Sequence, residues 1–488
     1  MVKRVGELLR ERGQLTDEQV FVICNHESEK LFCQKAIDLG FLSYDDVQIV
    51  LSEIYKRESV NLEFMYVDQN TLNILSLKTA TECCAIVFFD SEYFAKVAIA
   101  DPGNILHLDK IRRELKNKKV EFYLAKECEI LHFIEIMKSS AAEVEKNPLM
   151  LLNKIIFIAL EKRASDIHFE TLENLVRVRL RIDGVLHPFQ MIEKDIWGRI
   201  QSRLKLISSL NITENRRPQS GHTRIKLGGR AIDLRISTHP GIFGENFVIR
   251  IFDLSEGIKS LSELNFNYDD FCWLNQILAA PHGIFLLVGP TGAGKTTTLY
   301  SMLKAMDSSK LNIMTLEDPV EYQIEGIRQL DLQEEGILSF ADGIKSILRQ
   351  DPDIILIGEI RDEDTAAMAV RASLTGRLVI ATLHASSPKE CLFRLMDLKL
   401  KLSDFIPPLL GIFSQRLVRY KKGDVYSGRF PLSEYVFFKD DLKNRILKEG
   451  RIVDFNLDRT FQESAEYALQ NALTDREEIK RVFGHECI

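Results

Sequence analysis

The sequence has no Cys-x-x-Cys pair and no long hydrophobic run, and each absence excludes a class of protein. Scattered thiols in a large chain indicate a reducing compartment and argue against disulfides and a structural zinc site. No apolar run approaches the ~20 residues of a membrane-spanning helix, and no apolar secretory core follows the charges of residues 1–7. We therefore expect a cytoplasmic protein whose eight cysteines are unpaired: Cys24, Cys33, Cys83, Cys84, Cys128, Cys272, Cys391 and Cys487.

The sequence also has no excess of basic residues. Its 64 lysines and arginines are outnumbered by 71 aspartates and glutamates, which gives a formal net charge of −7. This balance gives no electrostatic reason to expect binding to nucleic acid or to an anionic membrane, although a local basic patch could be hidden in the total. A hydrophobic content of 45% and a charged content of 28% are ordinary for globular domains.

A length of 488 residues by itself indicates about three domains. Two stretches that have the composition of linkers divide the chain. The first, residues 138–148, is small and polar, and Asn147 followed by Pro148 is typical of a helix N-cap and first turn. The second, residues 253–260, separates a strand-rich region from the segment that leads into a glycine-rich loop. We predict an N-terminal domain at residues 1–140, a middle domain at 147–255 and a third domain at 260–488.

Local patterns predict the secondary structure of the first two domains. Residues 1 to about 60 have helical periodicity, with Val5, Leu8 and Leu9 on one face. Short strands are predicted at residues 85–89 and 95–99, followed by a turn at residues 101–104. In the middle domain, a helix at residues 149–163 leads into strands of period-two alternation at 176–181 and 231–236, with a hairpin turn at Gly228 and Gly229.

Residues 289–296 read Gly-Pro-Thr-Gly-Ala-Gly-Lys-Thr and fit the phosphate-binding loop pattern of Gly, four residues, then Gly-Lys-Thr. An apolar strand at residues 284–288 precedes the loop, and a helix at residues 296–305, free of Gly and Pro, follows it. In this context, backbone N–H groups cradle phosphate oxygens and the helix N-terminus adds partial positive charge. We therefore assign nucleotide binding to Gly289, Pro290, Thr291, Gly292, Ala293, Gly294, Lys295, Thr296 and Thr297.

Lys295 and Thr296 carry the chemistry of this loop. We expect Lys295 to reach the β- and γ-phosphates and the Thr296 hydroxyl to ligate Mg²⁺. Downstream of the loop, apolar strands alternate with helical stretches, which is typical of a parallel sheet with helices on its faces. The sequence therefore predicts an α/β domain that binds a nucleoside triphosphate.

Two groups of carboxylates follow the loop. Glu359 comes after an apolar strand at residues 353–357, and we expect that strand to lie next to the phosphate-loop strand. Such a carboxylate ligates Mg²⁺ and orients or deprotonates the attacking water. Glu317, Asp318 and Glu321 form a dense acidic group where another strand ends. They either hold Mg²⁺ and its waters or form a solvated acidic turn.

A histidine and three arginines complete the candidate site. His384 closes an apolar strand, where open α/β sheets bind ligands, and is either a γ-phosphate sensor or a structural residue. Arg217, Arg235 and Arg250 lie on strands or turns of the middle domain. An arginine from another domain or subunit can neutralise charge on the transferred phosphoryl group, but most arginines on alternating strands are simply solvated.

Together these motifs resemble those of the secretion ATPases that drive type II secretion and assemble type IV pili. The resemblance covers nearly the whole chain and rests on ordered motifs: the phosphate loop, the acidic box at residues 317–322, the stretch 348–353 leading into 358–362, and the segment that ends at His384. Upstream, residues 164–170 and 179–186 are similar to the domain that precedes the motor in this family.

The resemblance implies a RecA-like motor domain with a parallel sheet and a C-terminal helical subdomain. An α+β middle domain of PAS-like fold and an α+β N-terminal domain precede it. It further implies a homohexameric ring that holds ATP between the motor and the middle domain. Hydrolysis would rock these domains and turn an inner-membrane platform protein, with an associated cytoplasmic adaptor as a further partner. Glu359 would be the catalytic carboxylate, and Arg217 and Arg235 would close over the nucleotide.

The N-terminal domain resembles an extra domain of assembly motors, so its presence favours filament extension over retraction. In some relatives this domain binds cyclic di-GMP through a tandem motif. Here the first copy survives partly at residues 4–9 and Gly13, whereas Leu31 and Cys33 stand where the second copy has Arg and Gly. We therefore do not expect cyclic di-GMP binding, and we expect the domain to dock on the platform complex.

Three departures from the family pattern bear on the site. Many members carry two Cys-x-x-Cys pairs after the equivalent of residues 415–419, where this chain has none, so no tetrahedral thiolate zinc site exists and metal analysis should find no stoichiometric zinc. Arg377 replaces a histidine, which leaves His384 to carry that role. Residues 219–222 read Gln-Ser-Gly-His in place of Gln-Asp-Gly-Arg, so one candidate arginine finger is missing.

Three functions stay open at this point. The first is an assembly ATPase of a type II secretion, type IV pilus or DNA-uptake machine. The second is a hexameric nucleic-acid translocase of related motor fold, against which the acidic net charge counts. The third is a scaffold that binds nucleotide without hydrolysing it, and such a scaffold would be recognised by loss of Lys295 or Glu359, which are both present.

Overall fold

The computed structural model describes residues 9–10, 12–25, 32–62, 65–138, 147–227, 230–253, 257–332, 339–423 and 425–484. The chain divides into two compact units, Met1–Ser255 and Glu256–Ile488. Within the described residues, no helix is both long and apolar enough to cross a bilayer. The predicted fold class, α/β with a parallel-containing sheet in the third domain, is confirmed.

The N-terminal part of the first unit combines short helices with a small sheet. Its helices are α1 (Asp17–Asn25), α2 (Phe32–Asp38), α3 (Tyr44–Tyr55), α4 (Gln69–Leu72), α5 (Leu77–Cys83), α6 (Ile105–Glu114) and α7 (Glu127–Lys138). Its strands are β1 (Ala85–Asp90), β2 (Phe94–Ile99) and β3 (Lys119–Leu124), where β1 and β2 are antiparallel and β2 and β3 are parallel. The predicted strands at 85–89 and 95–99 are therefore confirmed. Val5 and Leu8 of the predicted N-terminal helical face lie outside the described residues.

The next part of the first unit is a six-stranded antiparallel sheet with two helices. The helices are α8 (Pro148–Glu161) and α9 (Lys194–Ile207). The strands are β4 (Ala164–Thr171), β5 (Leu175–Ile182), β6 (Val185–Glu193), β7 (Gln219–Leu227), β8 (Arg230–Gly241) and β9 (Gly244–Asp253), in the order β6-β5-β4-β9-β8-β7.

Local sequence explains these elements. The Asn147 side chain accepts hydrogen bonds from the N–H groups of Leu149 and Met150, at 3.1 and 3.2 Å, which confirms the predicted N-cap. Period-two alternation buries one face of the sheet, against which Trp197 of α9 stacks, with its ring 4.8 Å from that of Phe169. The predicted turn at Gly228 and Gly229 lies outside the described residues.

The second unit is a seven-stranded sheet flanked by helices. Its helices are α10 (Tyr268–Leu278), α11 (Lys295–Lys304), α12 (Phe340–Leu348), α13 (Glu363–Leu374), α14 (Pro388–Asp397), α15 (Leu402–Phe405), α16 (Asp440–Glu449), α17 (Phe461–Gln470) and α18 (Arg476–Phe483). Its strands are β10 (Gly283–Val288), β11 (Ile313–Glu317), β12 (Arg328–Asp331), β13 (Ile354–Ile357), β14 (Leu378–Leu383), β15 (Leu409–Lys422) and β16 (Val425–Phe437). Their order is β12-β11-β13-β14-β10-β15-β16, and every neighbouring pair is parallel except the antiparallel β15–β16 hairpin.

Helices cover both faces of this sheet, so its central strands are apolar on both sides. On β10, Ile284 and Leu286 belong to one hydrophobic cluster, whereas Phe285 and Leu287 belong to another. A strand buried on both faces is a continuous apolar run, as the sequence shows.

The strand order corrects one prediction. The strand that precedes Glu359, β13, does not lie next to the phosphate-loop strand β10, because β14 lies between them and pairs with both. Sequence proximity cannot determine this order, since parallel strands joined by helical crossovers are free to insert between earlier ones. His384, which follows β14, therefore occupies the position between the phosphate loop and Glu359.

The boundary between the two compact units falls between residues 255 and 256 of the chain. The further division of the first unit into domains at 1–140 and 147–255 stays a prediction, since residues 139–146 lie outside the described part of the chain. Separate hydrophobic clusters lie under the three-stranded and six-stranded sheets, as two domains would require.

Candidate nucleotide-binding site

The phosphate loop connects the buried strand β10 to the first turn of α11. Gly289, Gly292 and Gly294 have positive φ angles of 152°, 79° and 85°, which residues with a Cβ rarely adopt. The three glycines therefore let the backbone turn sharply between strand and helix. Residues 289–294 form a loop that leads to the N-terminus of a ten-residue helix, as phosphate recognition requires.

Lys295 begins α11 and folds over the loop. Its Nζ donates to the carbonyl oxygens of Gly289, at 2.7 Å, and Pro290, at 3.1 Å. Burial lowers the pKa of Lys295, the carboxylate of Glu359 acts in the opposite direction, and Arg416 lowers it further.

Thr296 and Thr297 continue the first turn of α11. Thr296 is half-buried and Thr297 is exposed, whereas Thr298 is buried. Hydroxyl and carboxylate oxygens are the ligands that Mg²⁺ prefers, and Mg²⁺ usually binds through one or two protein groups together with substrate phosphates. Thr296 and Glu359 have the required oxygens, so the residues present fit the ion.

Glu359 is held on both carboxylate oxygens. His384 Nε2 lies 3.1 Å from Oε1, and Arg361 Nε donates to Oε2 at 2.8 Å. Arg361 Nη1 also donates to Asp318 Oδ2 at 3.4 Å, so one guanidinium joins two of the predicted carboxylates. The hydrogen bond to Glu359 is the main cause of a raised pKa of Arg361. The structure thus joins Glu359 to Asp318 through Arg361 and places His384 directly against Glu359. The sequence reasoning missed the role of Arg361.

Glu317 is separated from this group. It is buried, with 4% of its surface exposed, and accepts hydrogen bonds from Tyr300, from Thr315 at 2.6 Å and from Gln329 at 3.2 Å. Asp318 is exposed and faces Arg361, because consecutive residues at the end of a strand point to opposite sides. The backbone N–H of Glu321 donates to the Tyr300 hydroxyl at 3.2 Å. The acidic box therefore divides into an internal carboxylate that positions Tyr300 and an exposed one beside Glu359.

The middle-domain arginines lie in the first unit, whereas the phosphate loop lies in the second. Arg217 is exposed in a bend before β7. Arg235 on β8 packs over Phe252, 4.6 Å from the ring centroid, and pairs across the sheet with Arg250 of β9. Arg250 forms an ion pair with Asp166 at 3.1 Å. A role for these arginines at the nucleotide stays a prediction.

The segment in which the family resemblance led us to look for Cys-x-x-Cys pairs lies in a β-hairpin. The hairpin consists of β15 (Leu409–Lys422) and β16 (Val425–Phe437). Near its tip, Lys421 Nζ and the Tyr426 hydroxyl both donate to Asp475, at 2.6 and 2.9 Å. Neighbouring Arg419 pairs with Glu478 of α18 at 2.7 Å. In the described ranges, no group of three or more His, Cys, Asp or Glu side chains could hold a metal ion.

The chain matches a known protein family over most of its length. Residues 142–479 match the family described as "Type II/IV secretion system protein", which covers most of the chain, including all the motifs of the second unit. The chain belongs to the type II/IV secretion system protein family. The resemblance expected from the phosphate loop, the acidic box and the Glu359 segment is therefore confirmed.

Curated members of the family match the chain over part of their length. It is 44% identical to the type II secretion system protein E of Dickeya dadantii over 271 residues, or 56% of this chain and 54% of the relative. It is 39% identical over 345 residues to the type IV pilus assembly ATPase PilB of Thermus thermophilus, covering 65% of this chain and 39% of PilB. The chain thus spans about half the length of the curated relatives it matches.

A solved structure shows the same fold. The ATPase DotB of Legionella pneumophila superposes with a TM-score of 0.56 at 21% identity, covering 68% of this chain and 94% of DotB. At that identity the likeness concerns the fold alone. It shows that the chain shares the fold of the ATPase DotB over the part that superposes.

Residues 55–144 match a second family model, the MshEN domain. The match supports the presence of the extra N-terminal domain. The match also makes doubtful the prediction that this chain does not bind cyclic di-GMP. That prediction rested only on the altered second copy of the motif. Of the residues that carried the reasoning, Arg4 and Leu31 lie outside the described part of the chain.

Proposed function

We propose that this chain is a motor ATPase that powers assembly of a type II secretion pseudopilus, a type IV pilus or a DNA-uptake filament. The observation that carries the proposal is that both carboxylate oxygens of Glu359 are held, by His384 and by Arg361, at the edge of the sheet where the parallel strands β10, β13 and β14 end. A carboxylate fixed beside a phosphate loop is the arrangement that nucleotide hydrolysis requires.

Each residue of the site has a distinct task in this proposal. The backbone N–H groups of residues 291–297 and the Lys295 ammonium bind the phosphates, where Lys295 exchanges its carbonyl partners for phosphate oxygens. Glu359 orients the attacking water and accepts its proton. His384 and Arg361 hold the Glu359 carboxylate in one orientation, and Asp318 does so indirectly through Arg361.

Mg²⁺, when bound with the nucleotide, would neutralise charge on the β- and γ-phosphates, and Thr296 and Glu359 are the residues that would hold it. The buried Glu317 supports the neighbouring Tyr300 and, with it, the backbone of Glu321. We propose that Arg217 and Arg235 neutralise charge on the transferred phosphoryl group.

The relatives support a role in a larger assembly. Proteins named type II secretion system protein E and type IV pilus assembly ATPase PilB support a role in filament assembly. We propose a homohexamer that works in the cytoplasm at the inner membrane, bound there to a platform protein and its cytoplasmic adaptor. The net charge of −7 supports a protein partner over direct binding of nucleic acid.

The test is Mg²⁺-dependent ATP hydrolysis by the full chain beside Glu359→Gln, with particle mass recorded with and without nucleotide. Glu363→Gln is the matched control, since Glu363 is exposed on α13, where it pairs with Lys399. Hydrolysis that is lost in Glu359→Gln and kept in Glu363→Gln, in a hexameric particle, supports the motor.

Other outcomes of the same test separate the alternatives. Full hydrolysis by hexameric Glu359→Gln would show that the catalytic carboxylate lies elsewhere. A wild-type hexamer that binds nucleotide without turnover would favour the scaffold. Strong stimulation of turnover by DNA would favour a nucleic-acid translocase.

A further inference from the structure

Gln415 of β15 lies directly under the phosphate loop. Its side chain is buried, with 2% of the residue exposed, and its Nε2 donates to the Ala293 carbonyl oxygen at 2.8 Å. Its Oε1 accepts a hydrogen bond from the Thr298 hydroxyl at 2.9 Å. The Gln415 amide therefore connects Ala293 of the loop with Thr298 in the first turn of α11.

Gln415 also limits the space for side chains at two positions of the loop. A Cβ at Gly289 would lie 2.6 Å from the Gln415 backbone oxygen, and a Cβ at Gly294 would lie 3.0 Å from Gln415 Nε2. The contact with the backbone oxygen excludes a side chain at Gly289, and a side chain at Gly294 would push the Gln415 amide out of its place. Gly289 is thus required by its contact with β15 as well as by its own φ angle.

The hydrogen bond to Ala293 also orients a neighbouring donor. In a trans peptide the C=O and N–H groups point in opposite directions, because the group is planar. When the Ala293 carbonyl is bound by Gln415, the N–H of Gly294 in the same peptide points away from β15. That N–H belongs to the set that cradles phosphate oxygens.

We propose that Gln415 is a positioning residue for nucleotide binding: it holds the Ala293–Gly294 peptide so that its N–H is presented to phosphate before the nucleotide arrives. This inference rests on the proposed ATPase function. Gln415 does not touch the reacting atoms, and its contribution is the preorganised shape of the loop.

A loop with this role binds the phosphates in the ground state and in the transition state alike. Loss of Gln415 should therefore weaken nucleotide affinity and raise the KM for ATP, while kcat changes little. A misdirected hydrogen bond to a charged phosphate corresponds to a loss of about ten-fold in affinity.

The experiment uses the full chain and three variants at this contact. Gln415→Met keeps the length of the side chain and removes both hydrogen bonds. Gln415→Glu keeps the acceptor for Thr298 and loses the donor to Ala293. Thr298→Val removes the bond to α11 and leaves the bond to Ala293. Gln462→Met is the matched control, since Gln462 is an exposed glutamine on α17.

Titration with a fluorescent ADP analogue gives the affinity, and steady-state hydrolysis gives KM and kcat. We expect both Gln415 variants to lose about ten-fold in ADP affinity with a matching rise in KM, Thr298→Val to lose less, and the control to bind normally. Wild-type affinity in Gln415→Glu would overturn the proposal, as would a loss confined to kcat.

ADP binding keeps this proposal separate from the proposed hydrolysis, because it is measured without turnover. A wild type that binds ADP but does not hydrolyse ATP would contradict the motor and leave the Gln415 comparison decisive. If Gln415→Met fails to fold by its circular dichroism spectrum, Gln415→Glu, which preserves the volume of the side chain, decides by the same criterion.

Discussion

The Nε2 atom of His384 lies 3.1 Å from the Oε1 atom of Glu359. His384 follows strand β14, which ends at Leu383, and Glu359 follows strand β13, which ends at Ile357. The contact is possible because the two strands are parallel neighbours and their carboxyl ends meet at one edge of the sheet. Arg361 holds the other oxygen of the same carboxylate. The side chain expected to activate water is therefore fixed from two directions.

His384→Asn should lower kcat by about 10- to 100-fold with little change in ADP affinity, because it loosens a partner of the catalytic carboxylate and leaves the phosphate loop intact. Steady-state hydrolysis and ADP titration check this expectation. His282→Asn is the matched control, since His282 is exposed in the segment before β10. An equal loss of ADP affinity and kcat would instead place His384 in nucleotide binding.

Arg361→Lys should lower kcat while preserving the fold, because an ammonium keeps the charge but cannot bond to Glu359 and Asp318 with the planar fork of a guanidinium. The loss of turnover should persist at saturating ATP, where nucleotide binding no longer limits the rate. Arg371→Lys on the exposed side of α13 is the control. Unchanged turnover in Arg361→Lys would show that charge alone suffices at this position.

Arg235→Ala should reduce turnover on the order of 10³-fold and leave nucleotide binding largely intact, as expected of an arginine that acts on the transferred phosphoryl group. Hydrolysis and ADP affinity are measured side by side. Arg230→Ala changes an exposed arginine on the same strand, where it pairs with Asp253, and should have no such effect. A normal rate in Arg235→Ala would remove this residue from the site, and the same comparison applies to Arg217→Ala.

Glu478→Gln should destabilise the second unit by about 3 kcal/mol, because it leaves Arg419 without its buried partner. Burial opposes the charged form of Glu478, but hydrogen bonds from Arg481 and Arg419 outweigh it and lower its pKa from the ordinary 4.5. The stability that this carboxylate contributes is therefore present above pH 4.5 and is lost as the pH falls through the lower pKa of the folded state.

Denaturant unfolding between pH 7 and pH 3 checks both parts of that prediction. The wild type should lose more stability on acidification than Glu478→Gln, so that the two converge at low pH. Glu477→Gln, at an exposed neighbouring position on the same helix, should follow the wild type. A constant difference between wild type and Glu478→Gln across this range would contradict the assigned ion pair.

The sequence by itself determined the phosphate loop, its flanking strand and helix, and the main strands of both units. These features depend on residues that are close along the chain: glycines where φ must be positive, apolar runs where a strand is buried on both faces, and alternation where one face is solvated. Lys295, Glu359 and His384 are predicted as site residues for the same reason, since each follows a recognisable local pattern.

Only the tertiary structure decided how these pieces meet. Gln415 reaches Ala293 across 122 positions in the sequence, and Arg361 reaches Asp318 across 43. The strand order that places β14 between β10 and β13 is likewise set by packing of the whole sheet. Local patterns report the environment of each residue, whereas contacts between distant residues depend on how helical crossovers distribute the strands, and no short stretch of sequence records that choice.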